Sequence, residues 1–487
     1  MNKKPVSQLS RKVLSAICLF GGTQSVTILC SVIRIKLVAI WIGAAGVGLF
    51  GIYNSAMTLI AQIAMLGMRS SSVREIASST DNPSHQAVVM KSVTRWGWLL
   101  GIAGSLLTLL TATRLSIWSF GDTSHTDGFR ALSAVVLLTC VTGAQLAIMQ
   151  GRGKLKRLAK ASLWGAVAGL AVSIPMFYIW RIDSVVPSII AYAAAATIAS
   201  TIFREPRSSR PTVHVSWKDS FLSGRNFIIL GAFITLSEVL NQLSGYVFIS
   251  WLNNEAGEAV TGCFQSGYTI INRYAGLIFT AIGLELYPRL ASVTRSPMRT
   301  SAFVSHEIRI VLLILIPVIA IMIVAAPIII RLLYSPEFIT IVPYLEFGAI
   351  GTIFRAVSWS MAFVILARGD GRIYLVTESL SAAIAVGLQI WGYSTGGLRG
   401  LGIAYTLWYM IYALIIALIY FRRYRLWLGW HIPRLIAWSL VSSASVLAIT
   451  LVAGRIYASV AACIVTAWSV FRMISQSKKR QPDTRNG

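Results

Sequence analysis

Residues 310–330 read IVLLILIPVIAIMIVAAPIII and contain no charged side chain. A helix needs about 20 apolar residues to cross a hydrocarbon core of about 30 Å, so this stretch predicts a membrane-spanning helix. Its two prolines, Pro317 and Pro327, lack the backbone N–H that an α-helix uses, and they therefore predict kinks. Membrane bundles tolerate such kinks, and transporters use them when their helices rock.

Similar apolar stretches recur along the chain of 487 residues, which is 56% hydrophobic and only 12% charged, with a mean hydropathy of +0.70. Soluble globular domains are about a quarter charged, so this composition excludes that class. We predict an all-α polytopic membrane protein with fourteen transmembrane helices. The predicted spans are 13–42, 46–68, 94–114, 131–150, 161–180, 184–203, 226–252, 260–287, 308–332, 340–367, 374–393, 400–420, 434–453 and 456–474.

The basic residues predict the orientation of these spans. A formal net charge of +26 would suggest nucleic-acid binding in a soluble protein, but here the basic residues lie between apolar runs, so no nucleic-acid partner is expected. With the N-terminus inside, 33 of the 43 Lys and Arg residues fall in cytoplasmic segments, and six fall on the opposite side. Because loops rich in Lys and Arg stay cytoplasmic, both termini are predicted to be cytoplasmic.

The segments between the spans exclude several kinds of chemistry. The longest external loop, roughly residues 115–130, could not fold independently, so a soluble catalytic domain is not expected. No GxxxxGK[ST] motif for ATP occurs, the five cysteines lie inside apolar runs, and the five histidines are scattered over loops. We therefore predict a protein that is not an enzyme, has no resident cofactor or metal, and acts between its helices.

Four cations lie inside predicted spans, where a charge costs about 3 kcal/mol on insertion scales: Arg34, Lys36, Arg273 and Arg355. Arg34 and Lys36 are about 200° apart around a helix, so at most one can face a shared cavity. Arg273 and Arg355 lie near mid-span and cannot easily reach an interface. They either form structural ion pairs or line a hydrated cavity that binds an anion, and the planar guanidinium suits phosphate.

Carboxylates inside the spans are the candidate partners of these cations. Glu238 lies in the seventh span, Glu346 in the tenth and Glu378 towards the cytoplasmic end of the eleventh. Glu238 and Glu346 could pair with Arg273 or Arg355. The alternative is that they carry H⁺ or Na⁺ during transport, because such groups mark ion pathways in membrane proteins.

A glycine pattern of the form GxxGxG occurs twice, at 43–48 and at 397–402, and opens a helix on the predicted external side each time. A dinucleotide site would need a preceding β-strand, so that interpretation fails. We predict tight helical hairpins whose glycines allow close approach of two backbones. The recurrence suggests related building blocks.

Several short motifs together resemble a known family. They are Lys36-Leu-Val-Ala39, Gly43-Ala-Ala-Gly46-Val-Gly48-Leu49, Leu286-Tyr-Pro-Arg-Leu290, Ala367-Arg-Gly-Asp-Gly-Arg-Ile-Tyr374 leading to Glu378, and the 397–402 hairpin. With these motifs the sequence resembles the Wzx-type flippases of O-antigen and other lipid-linked oligosaccharides. These flippases belong to the multidrug/oligosaccharidyl-lipid/polysaccharide exporter superfamily.

The resemblance implies two six-helix lobes around a central cavity, at 1–210 and 211–425, and two further helices with a cytoplasmic tail at 426–487. It implies a bacterial inner-membrane flippase that moves undecaprenyl-pyrophosphate-linked repeat units to the periplasmic leaflet by alternating access. Its partners would be that lipid-linked glycan, the lipid bilayer, and the polysaccharide polymerase and chain-length regulator. H⁺ or Na⁺ would be the coupling ion.

Lys36, Arg355 and Glu378 fall where related flippases often carry the same kind of charge. Asn272 and Thr352 take places where some relatives carry an acid. The predicted pyrophosphate-binding residues are Arg34, Lys36, Arg273 and Arg355, and the candidates for cation coupling are Glu238, Glu346 and Glu378. The alternatives are a multidrug antiporter of the same superfamily, which would favour a cavity rich in carboxylates, and a membrane-embedded polysaccharide polymerase or ligase.

Overall fold

The computed structural model describes residues 6–65, 67–79, 82–205, 217–293 and 296–478. These residues form helices and no β-strand, which confirms the predicted all-α class. The helices are α1 (Val6–Trp41), α2 (Ala44–Met65), α3 (Met68–Ser78), α4 (Pro83–Phe120), α5 (Thr126–Gly151), α6 (Leu155–Trp180), α7 (Val185–Ile202), α8 (Trp217–Val293), α9 (Pro297–Leu333), α10 (Val342–Ala367), α11 (Gly371–Leu418), α12 (His431–Val452) and α13 (Arg455–Lys478).

Local sequence explains where several of these helices begin and end. The Asn82 side chain accepts a hydrogen bond from the backbone N–H of His85 at 3.1 Å, and Pro83 follows as the first residue of α4. This arrangement satisfies one N–H that the helix cannot bond internally. At its other end α4 stops at Gly121, whose φ of +81° suits a residue without a Cβ.

Among the described residues, nine stretches are long and apolar enough to cross a membrane, so the chain is a multi-pass membrane protein. Two of them, Leu155–Ile202 and Gly371–Arg423, contain 48 and 53 residues and are interrupted near the middle. Each is therefore long enough for two of the predicted spans. The total of fourteen spans stays a prediction. The short α3, with 11 residues, was not predicted and cannot cross a bilayer.

The two glycine hairpins are confirmed. Gly43, with a φ of +90°, separates α1 from α2. Gly397, with a φ of +56°, interrupts α11. A Cβ on Gly400 would lie 1.9 Å from the backbone oxygen of Gly392, so the two halves of α11 touch through their backbones. Only glycine permits this approach, as the repeated motif predicted.

The chain divides into two compact units, one up to Gly262 and one from Cys263. In the first unit the core lies between α2, α4, α5 and α7, where Tyr53, Phe129 and Leu132 are buried. The predicted lobe boundary at residues 210 and 211 lies outside the described residues, and the lobe limits stay predictions.

In the second unit α10 packs against α9 and α11, while α12 and α13 pack against α9. Both Pro317 and Pro327 lie inside α9, which continues through them, and the predicted kinks stay a prediction. The C-terminal pair α12 and α13 is therefore part of this unit's packed core, with Ser469 and Val446 completely buried.

Candidate functional site

Arg34 on α1 is buried in the first unit, with 7% of its surface exposed. Its Nη2 donates to the backbone oxygen of Ser188 at 2.9 Å. The guanidinium carbon lies 4.7 Å from the ring centroid of Phe50 and 4.4 Å from that of Tyr192. Aromatic faces and a carbonyl stabilise a cation without neutralising it. Its buried Nε has no hydrogen-bond partner among the described residues and remains a donor.

Arg34 lines a cavity of about 880 Å³ in the first unit. The cavity is formed by α1, α2, α3, α5, α7 and α8, so that many different helices contribute side chains to one space. Its polar lining carries amide and hydroxyl groups, from Asn54, Thr58, Gln62, Ser70, Thr139, Thr142, Gln150 and Thr235. Such a lining is typical of a site for a ligand with many hydroxyl groups.

Charged groups at this cavity are mixed in sign. Arg69 and Glu238 line it together with Arg34, and both are exposed. Of the pair on α1, Arg34 is the residue that lines the cavity, while Lys36 is half-buried. Among the residues that the structure describes, no carboxylate lies within 4 Å of the Arg34 guanidinium.

Arg355 on α10 occupies a second polar site, inside the second unit. Its Nη1 donates to Asn272 Oδ1 at 2.7 Å and to the Tyr405 hydroxyl at 3.3 Å. Its guanidinium carbon lies 5.2 Å from the ring centroid of Phe279 and 5.5 Å from that of Tyr409. In the described part of the chain no carboxylate comes within 4 Å of it, so neutral oxygens and aromatic rings hold the cation.

The aromatic surroundings of Arg355 continue along α11. The Tyr409 ring lies 4.9 Å from Tyr405 and 4.4 Å from Trp408 between centroids. One turn further on, the Tyr412 hydroxyl donates to Glu378 Oε1 at 2.5 Å. This bond joins the two halves of α11, so Glu378 contributes to the packing of the hairpin that carries the tyrosines.

The remaining predicted site residues are distributed differently. Glu346 is 3% exposed and forms an ion pair with Arg455, with Nη2 and Oε1 2.6 Å apart. Arg273 lies on α8, but its side chain is outside the part that the structure describes. Thr352 is buried and its hydroxyl donates to the backbone oxygen of Ala349 at 2.6 Å.

The sequence did not indicate the roles that Gln62 and Asn272 have at these two sites. Gln62 has a buried Oε1 without a partner among the described residues, and Asn272 supplies the shortest contact to Arg355. Uncharged amides inside apolar spans are a weak signal, because they can also join helices without binding a ligand. The recurrence of Asn and Gln in α2, at 54 and 62, is the available clue, because the two lie about two turns apart on one face.

The chain matches a protein-family model and several named proteins. Residues 47–343 match the model of the family described as polysaccharide biosynthesis protein. The "Putative O-antigen transporter" of Shigella flexneri is 22% identical over 382 residues, which cover 77% of this chain and 90% of the relative. The "Lipid III flippase" of Escherichia coli K12 is 21% identical over 389 residues, with the same coverage of the two chains.

Solved structures share the fold. An inward closed form of the lipid II flippase MurJ superposes with a TM-score of 0.73 at 12% identity, over 95% of this chain and 100% of that one. An inward-facing multidrug resistance MATE transporter of the MOP superfamily gives 0.65 at 18% identity, over 82% and 94%. The family match and the named relatives confirm the resemblance to lipid-linked glycan flippases. They also confirm the prediction that the chain is a transporter and not an enzyme.

Proposed function

The chain belongs to the polysaccharide biosynthesis protein family, and from that premise we propose that it is a flippase for undecaprenyl-pyrophosphate-linked oligosaccharide repeat units. It moves them from the cytoplasmic to the periplasmic leaflet of the bacterial inner membrane by alternating access. The names of the O-antigen transporter and lipid III flippase relatives support this class of cargo. The repeat units would then be available to the polysaccharide polymerase and chain-length regulator.

The main support for the proposal comes from the surroundings of two arginines that lie inside apolar helices. Arg34 and Arg355 are each held by neutral oxygens and aromatic faces, and in the described part of the chain neither has a carboxylate within 4 Å. A buried cation without a counter-ion is costly, so its retention favours an anionic ligand that completes the pair. A pyrophosphate carries that charge, and a guanidinium can bind it through two hydrogen bonds.

The cavity in the first unit supports the glycan part of the cargo. Amide and hydroxyl groups such as those of Asn54, Gln62 and Thr139 line it beside Arg34. A sugar offers donors and acceptors in every direction, and such neutral groups can exchange hydrogen bonds with it without imposing a charge. The volume of about 880 Å³ falls within the range of small-molecule sites.

Coupling to an ion gradient is assigned to the remaining carboxylates. Glu238 lines the first-unit cavity and is exposed to it, which allows exchange of a proton or Na⁺. Glu378 accepts a hydrogen bond from Tyr412, and that bond would strengthen or weaken with its protonation. Glu346 is already engaged by Arg455 and is the weaker of the three candidates. Unchanged translocation after the H⁺ and Na⁺ gradients have been collapsed would contradict this role.

The test is deletion of the gene in its native host, followed by complementation. We expect undecaprenyl-linked repeat units to accumulate on the cytoplasmic leaflet while the surface glycan disappears. The wild-type gene should restore the glycan, whereas Arg34→Ala and Arg355→Ala should not, at equal protein levels in the membrane. Arg399→Ala is the matched control, because Arg399 also lies over an aromatic ring, that of Phe347, yet is exposed.

Three results would contradict the proposal. Repeat units that still reach the periplasm but stay unpolymerised would place the protein after the flipping step. Intact glycan together with increased sensitivity to cationic drugs would favour the multidrug antiporter. Normal transport by both alanine variants would show that the buried arginines do not bind the cargo.

A further inference from the structure

Two backbone carbonyls of α9 have lost their usual donors. In an α-helix each N–H bonds the carbonyl four residues earlier, and proline has no N–H to give. Pro317 and Pro327 therefore leave the carbonyls of Leu313 and Ile323 without an intrahelical partner. Inside a hydrocarbon core there is no water to replace that partner, so a free carbonyl there destabilises the fold.

Helix α13 supplies a donor to each of these two carbonyls. The hydroxyl of Ser469, which is completely buried, donates to the Leu313 oxygen at 2.5 Å. The Arg455 Nη1 donates to the Ile323 oxygen at 3.2 Å and to the neighbouring Val324 oxygen at 2.9 Å. The same helix thus reaches both of the positions that the two prolines leave open.

The spacing of these contacts fits two antiparallel helices. Arg455 and Ser469 are about 21 Å apart along α13, and the two carbonyls are about 15 Å apart along α9, at 1.5 Å per residue. The long arginine side chain covers the difference, whereas the short serine side chain contacts its carbonyl directly. Both carbonyls that lie four residues before a proline thus have a donor from α13, and this double coincidence indicates a specific arrangement.

Arg455 also joins this pair of helices to α10. Its other terminal nitrogen, Nη2, is 2.6 Å from Oε1 of Glu346, whose side chain is 4% exposed. The carboxylate neutralises the guanidinium and keeps it oriented towards the carbonyls of α9. Glu346 lies on the helix that also carries Arg355.

We propose that α13 is a clamp that holds α9 at both of its inner prolines and ties the second of these positions to α10 through Glu346. The two C-terminal helices are then an integral part of the second unit rather than an appended pair. Arg455 and Ser469 act as positioning residues, since they touch backbone and a carboxylate but no cargo.

A double-mutant cycle on the full-length chain in detergent tests the clamp, with the unfolding temperature as readout. Ser469→Ala leaves the Leu313 carbonyl unbonded, and we expect Tm to fall by about 1–3 °C. Pro317→Ala restores an N–H to the same carbonyl. In that background Ser469→Ala should lower Tm by less than half as much, because the helix now satisfies the carbonyl itself.

The controls decide whether the coupling is specific. Ser459→Ala removes an exposed hydroxyl that donates to the backbone oxygen of Arg455 within the same helix, and should leave Tm unchanged because it does not contact α9 among the described residues. Ser469→Ala combined with Pro327→Ala should give additive shifts, because the two changes concern different carbonyls. Equal effects of Ser469→Ala with and without Pro317 would overturn the clamp at that position.

A second cycle keeps the test decisive if Pro317→Ala fails to fold. The double variant Glu346→Gln with Arg455→Met removes both charges together, so that neither is left buried alone. We expect it to lower Tm in the wild-type background and to lower it less when Pro327→Ala is present. A loss of the same size in both backgrounds would show that Arg455 stabilises only through Glu346, and the clamp would be wrong at Pro327.

Discussion

Asn272→Asp is the most informative single change at the Arg355 site. Asn and Asp have almost the same shape, so the substitution places a carboxylate where the amide oxygen lies 2.7 Å from Nη1 of Arg355. The two charge centres would be about 4 Å apart, and at an effective dielectric constant of about 20 they attract by about 4 kcal/mol. The site would then change from a net cation to a neutral pair.

An anion at this site would lose most of its attraction to Arg355. Partial protonation of the new carboxylate and residual water reduce the effect, so we expect an affinity loss of about 100-fold, or about 2.8 kcal/mol. The assay is the binding of a polyprenyl pyrophosphate to the purified chain in detergent, followed by tryptophan fluorescence. Surface glycan in the complemented deletion strain gives the matching result in cells.

Two controls separate charge from shape. Asn272→Ser removes the amide without adding a charge and should bind the pyrophosphate within about threefold of the wild type, since no charge is altered. Asn254→Asp makes the same chemical change at an exposed position in the first unit, before the break in α8 at Gly257, and should have no effect on binding. A folded Asn272→Asp protein with wild-type affinity would refute the assignment of Arg355 as an anion site.

Three further changes test the first-unit cavity, the α11 hairpin and the N-terminal end of α5. Arg34→Lys should retain part of the transport that Arg34→Ala loses, as surface glycan measures, because Lys keeps the charge but not the planar fork. Gly400→Ala should lower Tm by several degrees, since its Cβ would meet backbone at 1.9 Å, whereas Gly387→Ala on the same helix, with nothing within 4 Å, should not. Burial lowers the pKa of His125, so the folded state favours the neutral ring and loses stability as pH falls below about 6.5. Protonation of His125 should therefore lower Tm between about pH 7.5 and 5.5, and His125→Gln should remove this contribution. Burial raises the pKa of the neighbouring Glu258, so its contribution to stability has the opposite pH dependence. Glu258 is present in both the wild type and the His125→Gln variant.

Local patterns predicted much of this fold. Apolar length predicted helices, and the glycine motifs predicted the hairpins around Gly43 and Gly397, because a positive φ has a strong residue preference. Helical geometry also predicted that at most one of Arg34 and Lys36 can face a shared cavity, and Arg34 is the one that lines it. Each of these features depends only on residues that lie close together in the sequence.

Contacts between distant segments could not be predicted in the same way. The sequence offers Glu346 as a partner of a mid-span arginine or as a coupling group, whereas in the structure it pairs with Arg455, 109 residues later. Nothing in the spacing of the two residues indicates this, because the pairing depends on how α10 and α13 pack. The family resemblance marks Asn272 only as a missing acid, whereas in the structure it forms the shortest hydrogen bond to Arg355.

The bonds between α9 and α13 also set an order of events during synthesis. Leu313 and Ser469 are separated by 156 residues. At about 5–20 residues per second, α9 is made about 8–30 s before the hydroxyl that completes its backbone leaves the ribosome. Until α13 is made, the Leu313 and Ile323 carbonyls of α9 lack the donors that they have in the folded chain. A stop codon before residue 455 would therefore remove both donors, and the second unit would have to fold without them.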